Sequence, residues 1–322
     1  IARVSAAGIL QLGPEAVSAR PGPACFGHGG RQPTLTDAQL VLGHLAPQTV
    51  SDLILDESAA AEALAPLALE LQQELLVVAQ NIVDLAAEQL CGAVRAQAVQ
   101  AGFEPQGLAL LAFGAEGPLL ANAVARLSGC YPVIVPPRPG VLTAQGALTT
   151  TPRHDVAASW VQPLAEIAAE RISRKFEQLS AQVQQWLTEE NIGPQEQTMH
   201  YEAELRYLGH DQIVSVPYQE PGQLAAQFQQ MFEQCFGYRL EQPLELISLR
   251  VTAIASASAP VVRPDTDPAA AQLSIPDEQR IFLDGRYVTA TLYQRAALQP
   301  GDRVQGPALI CQATATTMVC SR

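Results

Sequence analysis

Lysine is almost missing from this sequence. Among 322 residues Lys175 is the only one, set against 32 aspartates and glutamates, and the formal net charge is −13. The acid excess is spread evenly, −6 over residues 1–150 and −7 over the rest, so neither half offers the positive field that nucleic acid or an anionic membrane surface attracts. A phosphate loop of the P-loop kind needs a lysine directly after its glycines, and Lys175 stands instead among the charges of a helical segment, which excludes that chemistry. The six cysteines include no Cys-x-x-Cys pair and have no His-x-x-His companion. That argues against a structural zinc site, so no metal ligands are assigned, and reduced thiols in a cytoplasmic protein are the default reading. No apolar run approaches the roughly 20 residues of a membrane span, and no charged-then-apolar signal segment opens the chain. A hydrophobic fraction of 48% with 16% charged residues describes a globular chain, long enough for two domains with a core each.

What is present centres on residues Gly107 to Leu148. The apolar run Leu108 to Phe113 reads as a buried strand that empties into the tight loop Gly114-Ala115-Glu116-Gly117-Pro118. Leu119, Leu120, Val124 and Leu127 then recur at helical spacing until Gly129 closes the helix, and a second strand, Val133 to Val135, follows. Strand, glycine loop, helix and strand make a βαβ unit, which places its loop at the carboxyl end of a parallel sheet, where such folds bind ligands. A plain tight turn is the alternative reading of the same residues.

Upstream, residues 1–50 are dense in turn residues and read as short strands and loops on a sheet edge. Thr36-Asp37 precedes an apolar helical run, so Asp37 reads as the N-cap of a short helix. From Glu57 to Ala101 runs the longest helical region, broken near Pro66, with Leu67, Leu71, Leu75, Val78, Ile82 and Leu85 on one stripe. A boundary falls near Thr149 to His154. Beyond it, Leu164, Ile167, Ile172, Phe176, Leu179, Val183 and Trp186 mark a long amphipathic helix, Met199 to Tyr207 alternate as a half-buried strand, and a helix over Leu224 to Phe236 precedes a strand over Leu244 to Ile254. Residues 256–279 are rich in Pro, Ala, Ser and Asp and read as a linker. Asp284-Gly285 is a two-residue hairpin signal, and the final strands suggest a small β-sandwich or barrel.

Four stretches carry a wider resemblance: Gly13 to Leu45 with its PGPACFG motif, the AFGAEGP loop (Ala112 to Pro118), VIVPPRPGVLTAQGAL (Val133 to Leu148) and the segment Phe282 to Ile310. In this order, over the length of the chain, they resemble the A subunit of the hydantoinase/oxoprolinase family. The resemblance implies an α/β fold: an actin/Hsp70-like (ribonuclease H-like) ATPase lobe over residues 1–152, followed by an α+β C-terminal domain over 153–322. It further implies that the family's phosphate-binding loops lie upstream of the segment matching Ile1 to Val4, so that this sequence matches the second half of an A subunit. Gly114, Ala115, Glu116, Gly117 and Pro118 would receive the adenosine of ATP, and Asp37 would belong to a TDA motif facing the active-site cleft. ATP and Mg2+ are the implied cofactors. Phosphorylation of the oxygen of a cyclic amide, such as 5-oxoproline or a hydantoin, would open its ring to water. A B-type subunit and a homo- or hetero-oligomer are the implied partners. ATP-dependent ketone carboxylation is the alternative activity within the family, and a structural or regulatory subunit with weakened chemistry is the alternative outside it.

The departures from the family pattern motivate that last alternative. Where the family commonly reads FGGAGP, Ala115 and Glu116 stand here. Ala87, Gln89 and Ala96 replace cleft-lining polar residues, Phe232 replaces a histidine, and Cys311 and Thr314 replace acidic residues near the end. If Ala115 had to adopt positive φ it would cost on the order of 1 kcal/mol, and a carboxylate at 116 would repel a polyphosphate. Of the other candidates, His154-Asp155 reads as an acid/base pair or an interdomain hydrogen bond, Glu202 and Glu204 as a carboxylate dyad or a solvated charged ladder, and Cys25 as a buried structural thiol.

Overall fold

The computed structural model describes residues 1–46, 53–255 and 278–321. Two compact units emerge: residues 1–146 together with 263–322, and residues 147–262. The linker read over 256–279 lies, except for its last two residues, outside the described residues.

The first unit opens with a small antiparallel pair, β1 (Ala2–Val4) and β2 (Leu10–Leu12), followed by α1 (Leu35–Val41), α2 (Glu57–Leu71) and α3 (Leu75–Gln100). The expected break at Pro66 does not occur. That proline is accommodated inside α2, and the helix stops where Gln72 turns left-handed at φ 53°. Val78, Ala79, Ile82, Val83, Ala86 and Ala87 of α3 are buried against Leu64 and Leu67 of α2 and against Ala38. By length and composition α3 is long and apolar enough to cross a membrane, with a mean hydropathy of 1.2 over its most apolar 18-residue stretch, a stretch that Asp84 and Glu88 interrupt. Its apolar stripe is the centre of this core.

Next come β3 (Leu110–Leu111), α4 (Gly117–Ser128), β4 (Val133–Ile134) and α5 (Leu142–Thr149). The two strands are parallel, as the βαβ reading requires, with Leu110 opposite Val133 and Leu111 opposite Ile134. The strand is shorter and less buried than the apolar run suggested. Leu110 joins the core on which α4 packs, while Leu111 and Ile134 face the other way and are 50% and 47% exposed.

The chain returns to this unit at its end, after passing through the second unit, with β9 (Glu278–Leu283), β10 (Arg286–Gln294), β11 (Ala308–Gln312) and β12 (Ala315–Val319), numbered in chain order after the second unit's strands. Asp284 and Gly285, at φ 49° and 78°, turn β9 into β10 as their sequence predicts. The four strands form one open sheet, β12-β11-β10-β9, with β10 and β11 parallel. No second sheet faces it among the described residues, which corrects the sandwich or barrel. Ile281, Ala290, Leu292, Leu309, Cys311 and Met318 pack instead with Cys25, Leu40, Leu45 and Leu119. The second unit starts at residue 147, a few residues before the sequence boundary at 152/153, and apolar contact carries the last strands back to the first unit.

The second unit is an antiparallel sheet, in the order β5 (Arg153–Pro163), β8 (Leu244–Ala255), β6 (Gln197–Tyr207), β7 (Val214–Pro217), with α6 (Ala169–Glu189) and α7 (Leu224–Phe236). Ile172, Phe176, Leu179, Val183 and Leu187 of α6 and Leu224, Phe228 and Phe232 of α7 share one core with Leu205, Tyr207, Leu249 and Val251. This is the α+β organisation the sequence implied.

Candidate functional site

The glycine loop leaves β3 at Ala112, whose N–H donates to Ile134 O at 2.8 Å. At Gly114 the chain turns left-handed, φ 82°, and a Cβ there would meet nothing within 4 Å, so the loop is open on that side. The Gly114 N–H donates to Pro139 O at 2.8 Å, tying the loop to the PRPG turn. Ala115 is exposed and does not adopt positive φ, so the strain considered for it does not arise.

Glu116 occupies the N-cap position of α4 but makes no side-chain cap bond. Its carboxyl instead reaches α1, where Oε1 accepts from Thr36 Oγ1 at 3.4 Å, while Oε2 is buried with no hydrogen-bond partner. Gln39, fully buried, stands beside it with no well-formed hydrogen bond from either amide atom. Burial pushes the Glu116 carboxyl above its ordinary range, an effect that Gln39 and Thr36 only partly offset. The carboxylate that seemed set to repel phosphates is thus turned inward and biased toward its neutral form.

Asp37 is placed differently from the N-cap reading. The cap of α1 is Thr34, and Asp37, at the third helical position, closes a capping box with it. Its Oδ1 accepts from Cys25 N at 2.8 Å, and its Oδ2 from Thr34 N at 3.0 Å, Thr34 Oγ1 at 2.7 Å and Ala24 N at 3.4 Å. The side chain is fully buried, so it pins the PGPACFG turn against α1. The Cys25 thiol lies in the same cluster, and burial first, then the charge of Asp37, drives its pKa far up, the signature of an inert structural thiol. One polar cluster therefore joins Asp37, Cys25, Thr36 and Gln39 to the glycine loop through Glu116. Gln39 was not singled out in the sequence, and Thr36 only as the neighbour of Asp37; Gln39 directly follows the TDA segment, close to one helical turn after Thr36.

No group of three or more His, Cys, Asp or Glu side chains among the described residues is arranged to hold a metal.

Family models give this geometry its setting. The hydantoinase/oxoprolinase model matches residues 1–156, and the hydantoinase/oxoprolinase C-terminal domain model matches residues 162–322. The chain belongs to the hydantoinase/oxoprolinase family. The caprolactamase subunit alpha of Pseudomonas jessenii is 27% identical over 99% of this chain and 48% of its own length. The crystal structure of the ATP-dependent caprolactamase from that organism superposes on 100% of this chain and 49% of its own, with a TM-score of 0.78 at 27% identity. 5-Oxoprolinase 1 of Arabidopsis thaliana is 27% identical over 97% of this chain and 26% of its own length. The acetophenone carboxylase gamma subunit of Aromatoleum aromaticum is 27% identical over 99% and 47%. The chain thus spans about half the length of two of these relatives and about a quarter of the third, and those two carry the name of subunits.

Of the positions where the resemblance implies another residue, three, Ala87, Phe232 and Cys311, are buried in cores, while Gln89, Ala96 and Thr314 are exposed. Ala87 is core in α3, Gln89 donates from Nε2 to Leu12 O at 2.9 Å, and Ala96 is exposed. Phe232 packs with Tyr207, Phe228, Phe236 and Tyr238, and Cys311 is buried in the core under the last sheet. Thr314 differs: it lies against Gly140 of the PRPG turn. His154 and Asp155 point to opposite faces of β5, which rules out the acid/base pair. His154 stacks on Trp186 at 4.8 Å, within the second unit, and Asp155 accepts from Arg153 and from Thr252 Oγ1, which hold its pKa down at about 2. Glu202 stands opposite Arg250, Glu204 pairs with Arg250 and Ser248, and Arg206 pairs with Glu245, a charged ladder across the sheet.

Proposed function

We propose that this chain is the nucleotide-loop half of an ATP-dependent cyclic-amide hydrolase. The observation that carries the reading is the superposition of the entire chain on the ATP-dependent caprolactamase, together with a glycine loop that is open at Gly114 at the end of a parallel strand. The backbone at Gly114, Ala115 and Gly117 would hold the adenosine side of ATP, with Pro118 buried beneath as the second residue of α4. Glu116 serves from behind, bracing the loop on α1 rather than touching phosphates, and Asp37 holds the PGPACFG turn beside it. Bound ATP would supply the phosphoryl group that activates the amide oxygen, and Mg2+ would supply charge neutralisation for that transfer. Ring opening by water would fall to a partner of the B type, consistent with relatives named as subunits.

Ketone carboxylation is the second reading, favoured by the likeness to the acetophenone carboxylase gamma subunit. The test is ATP hydrolysis by the complete protein with its co-purifying partner. Stimulation by a lactam, a hydantoin or 5-oxoproline is expected; stimulation only by a ketone with bicarbonate selects the carboxylase, and none with either overturns both.

A further inference from the structure

Within the first unit, the two ends of the chain's contribution meet at the glycine loop. Gly114 is bonded to Pro139 O, Pro139 is buried, and the next residue, Gly140, lies so close to the β11–β12 turn that a Cβ on it would sit 2.3 Å from Thr314 O, 2.5 Å from Thr314 Oγ1 and 2.6 Å from Thr314 Cβ. Gln312 at the same turn donates from Nε2 to Pro137 O at 2.8 Å. On the other side of the loop Asn122 of α4 donates to Met318 O of β12 at 2.8 Å. The hairpin is itself fixed, since Leu309, Cys311 and Met318 are buried with Leu40 and Leu119. The PRPG turn is thus clamped between the glycine loop and a rigid hairpin 175 residues further along the chain.

We propose that the hairpin Ala308–Gln312/Ala315–Val319 is the buttress that sets the glycine loop for nucleotide, with Gln312 and Thr314 as positioning residues acting through Pro137 to Gly140. The inference rests on the nucleotide reading of the loop. A glycine is needed at 140 for close approach rather than for a special φ, because its would-be Cβ collides with backbone that cannot yield. Gly114 N–H is the reporter: it is the donor that the PRPG turn holds.

The test compares Gly140→Ala and Gln312→Ala in the complete protein, by amide exchange over residues 110–118 and by titration with ATP and with a non-hydrolysable analogue. Loss of the turn's grip is expected to speed Gly114 exchange about tenfold and to weaken nucleotide binding by a similar factor in Gly140→Ala, with a smaller change of the same sign in Gln312→Ala. KM for ATP rises while the KM for the amide stays put, which a general loss of stability would not produce. Should Gly140→Ala fail to fold, Gln312→Ala decides, since it removes one bond from an exposed side chain. Unchanged exchange at Gly114 in the folded variants overturns the buttress. Faster exchange with unchanged nucleotide affinity overturns its role in binding, and a parent protein that binds no nucleotide overturns the reading on which it rests.

Discussion

Glu116 shows why a residue's type does not fix its role. As a carboxylate inside a candidate nucleotide loop it looked hostile to phosphate, yet it turns to α1, where Thr36 and Gln39 meet it and Cys25 and Asp37 lie near. Its folded-state pKa is raised above an ordinary value near 4.5. The folded protein therefore holds this proton more tightly than the unfolded chain, so the contribution is fully present below about pH 4.5 and is lost as pH rises through the raised value. Glu116→Gln keeps the shape without the titration. Its unfolding free energy relative to the parent is expected to grow as pH rises from 4.5 to 8, measured by urea titration at each pH. His44, buried and donating from Nε2 to Phe282 O at 2.7 Å, has a lowered pKa and contributes the opposite trend, with stability lost as pH falls below about 6.5. That trend is common to both proteins and cancels in the difference, and the Asp155 effect lies below the window. Parallel curves for the two proteins would refute the buried, proton-holding carboxyl. Nothing in the sequence foretold this orientation, because it is decided by a contact 80 positions away.

At the scale of the element, α1 is only seven residues long and cannot stand on propensity. Its capping box, and the bonds from Asp37 to the backbone of Ala24 and Cys25, anchor it. Asp37→Ala would strand buried N–H groups of Cys25 and Thr34, at a cost of about 2–4 kcal/mol, against about 1 kcal/mol for Thr34→Ala. Urea unfolding of the two variants checks this ordering, and equal costs would mean that Asp37 does little for the PGPACFG turn. Elements of this kind were legible where local chemistry decides them. The stripe of α6, the whole of α7, the glycine stop after α4 and the Asp284-Gly285 turn follow from spacing and from φ preference. Pro66 misled, because tertiary packing on α3 holds α2 helical through it. The apolar run before the glycine loop misled too, because hydrophobicity does not say which face of a strand a helix will cover.

For the whole molecule, chain order and spatial order part company. A sequence boundary near 152 falls just before β5, whereas the second unit begins at residue 147, and no local signal says that the last four strands return to the first unit. What brings them back is complementary apolar surface: Ile281, Leu309 and Met318 complete a core begun by Leu40, Leu45 and Leu119. The joint is stitched by Phe282 N–H to Leu42 O at 2.8 Å, Gln279 Nε2 to Gly43 O at 2.6 Å and His44 to Phe282 O. Truncation after Ala255 should therefore unfold the first unit, which loses its last four strands, and spare the second, which borders the cut. Amide exchange is expected to show α1 and α4 losing protection while β6 and β8, whose core lies wholly within residues 147–262, retain it. Retained protection in α1 would mean that the first 146 residues hold their own core, and the glycine loop would then owe its shape to the PRPG turn alone. Loss confined to α1 and α4 would show instead that the glycine loop and the chain's last hairpin form one cooperative unit, so that a substitution under β11 or β12 reaches the candidate site as surely as one beside Gly114.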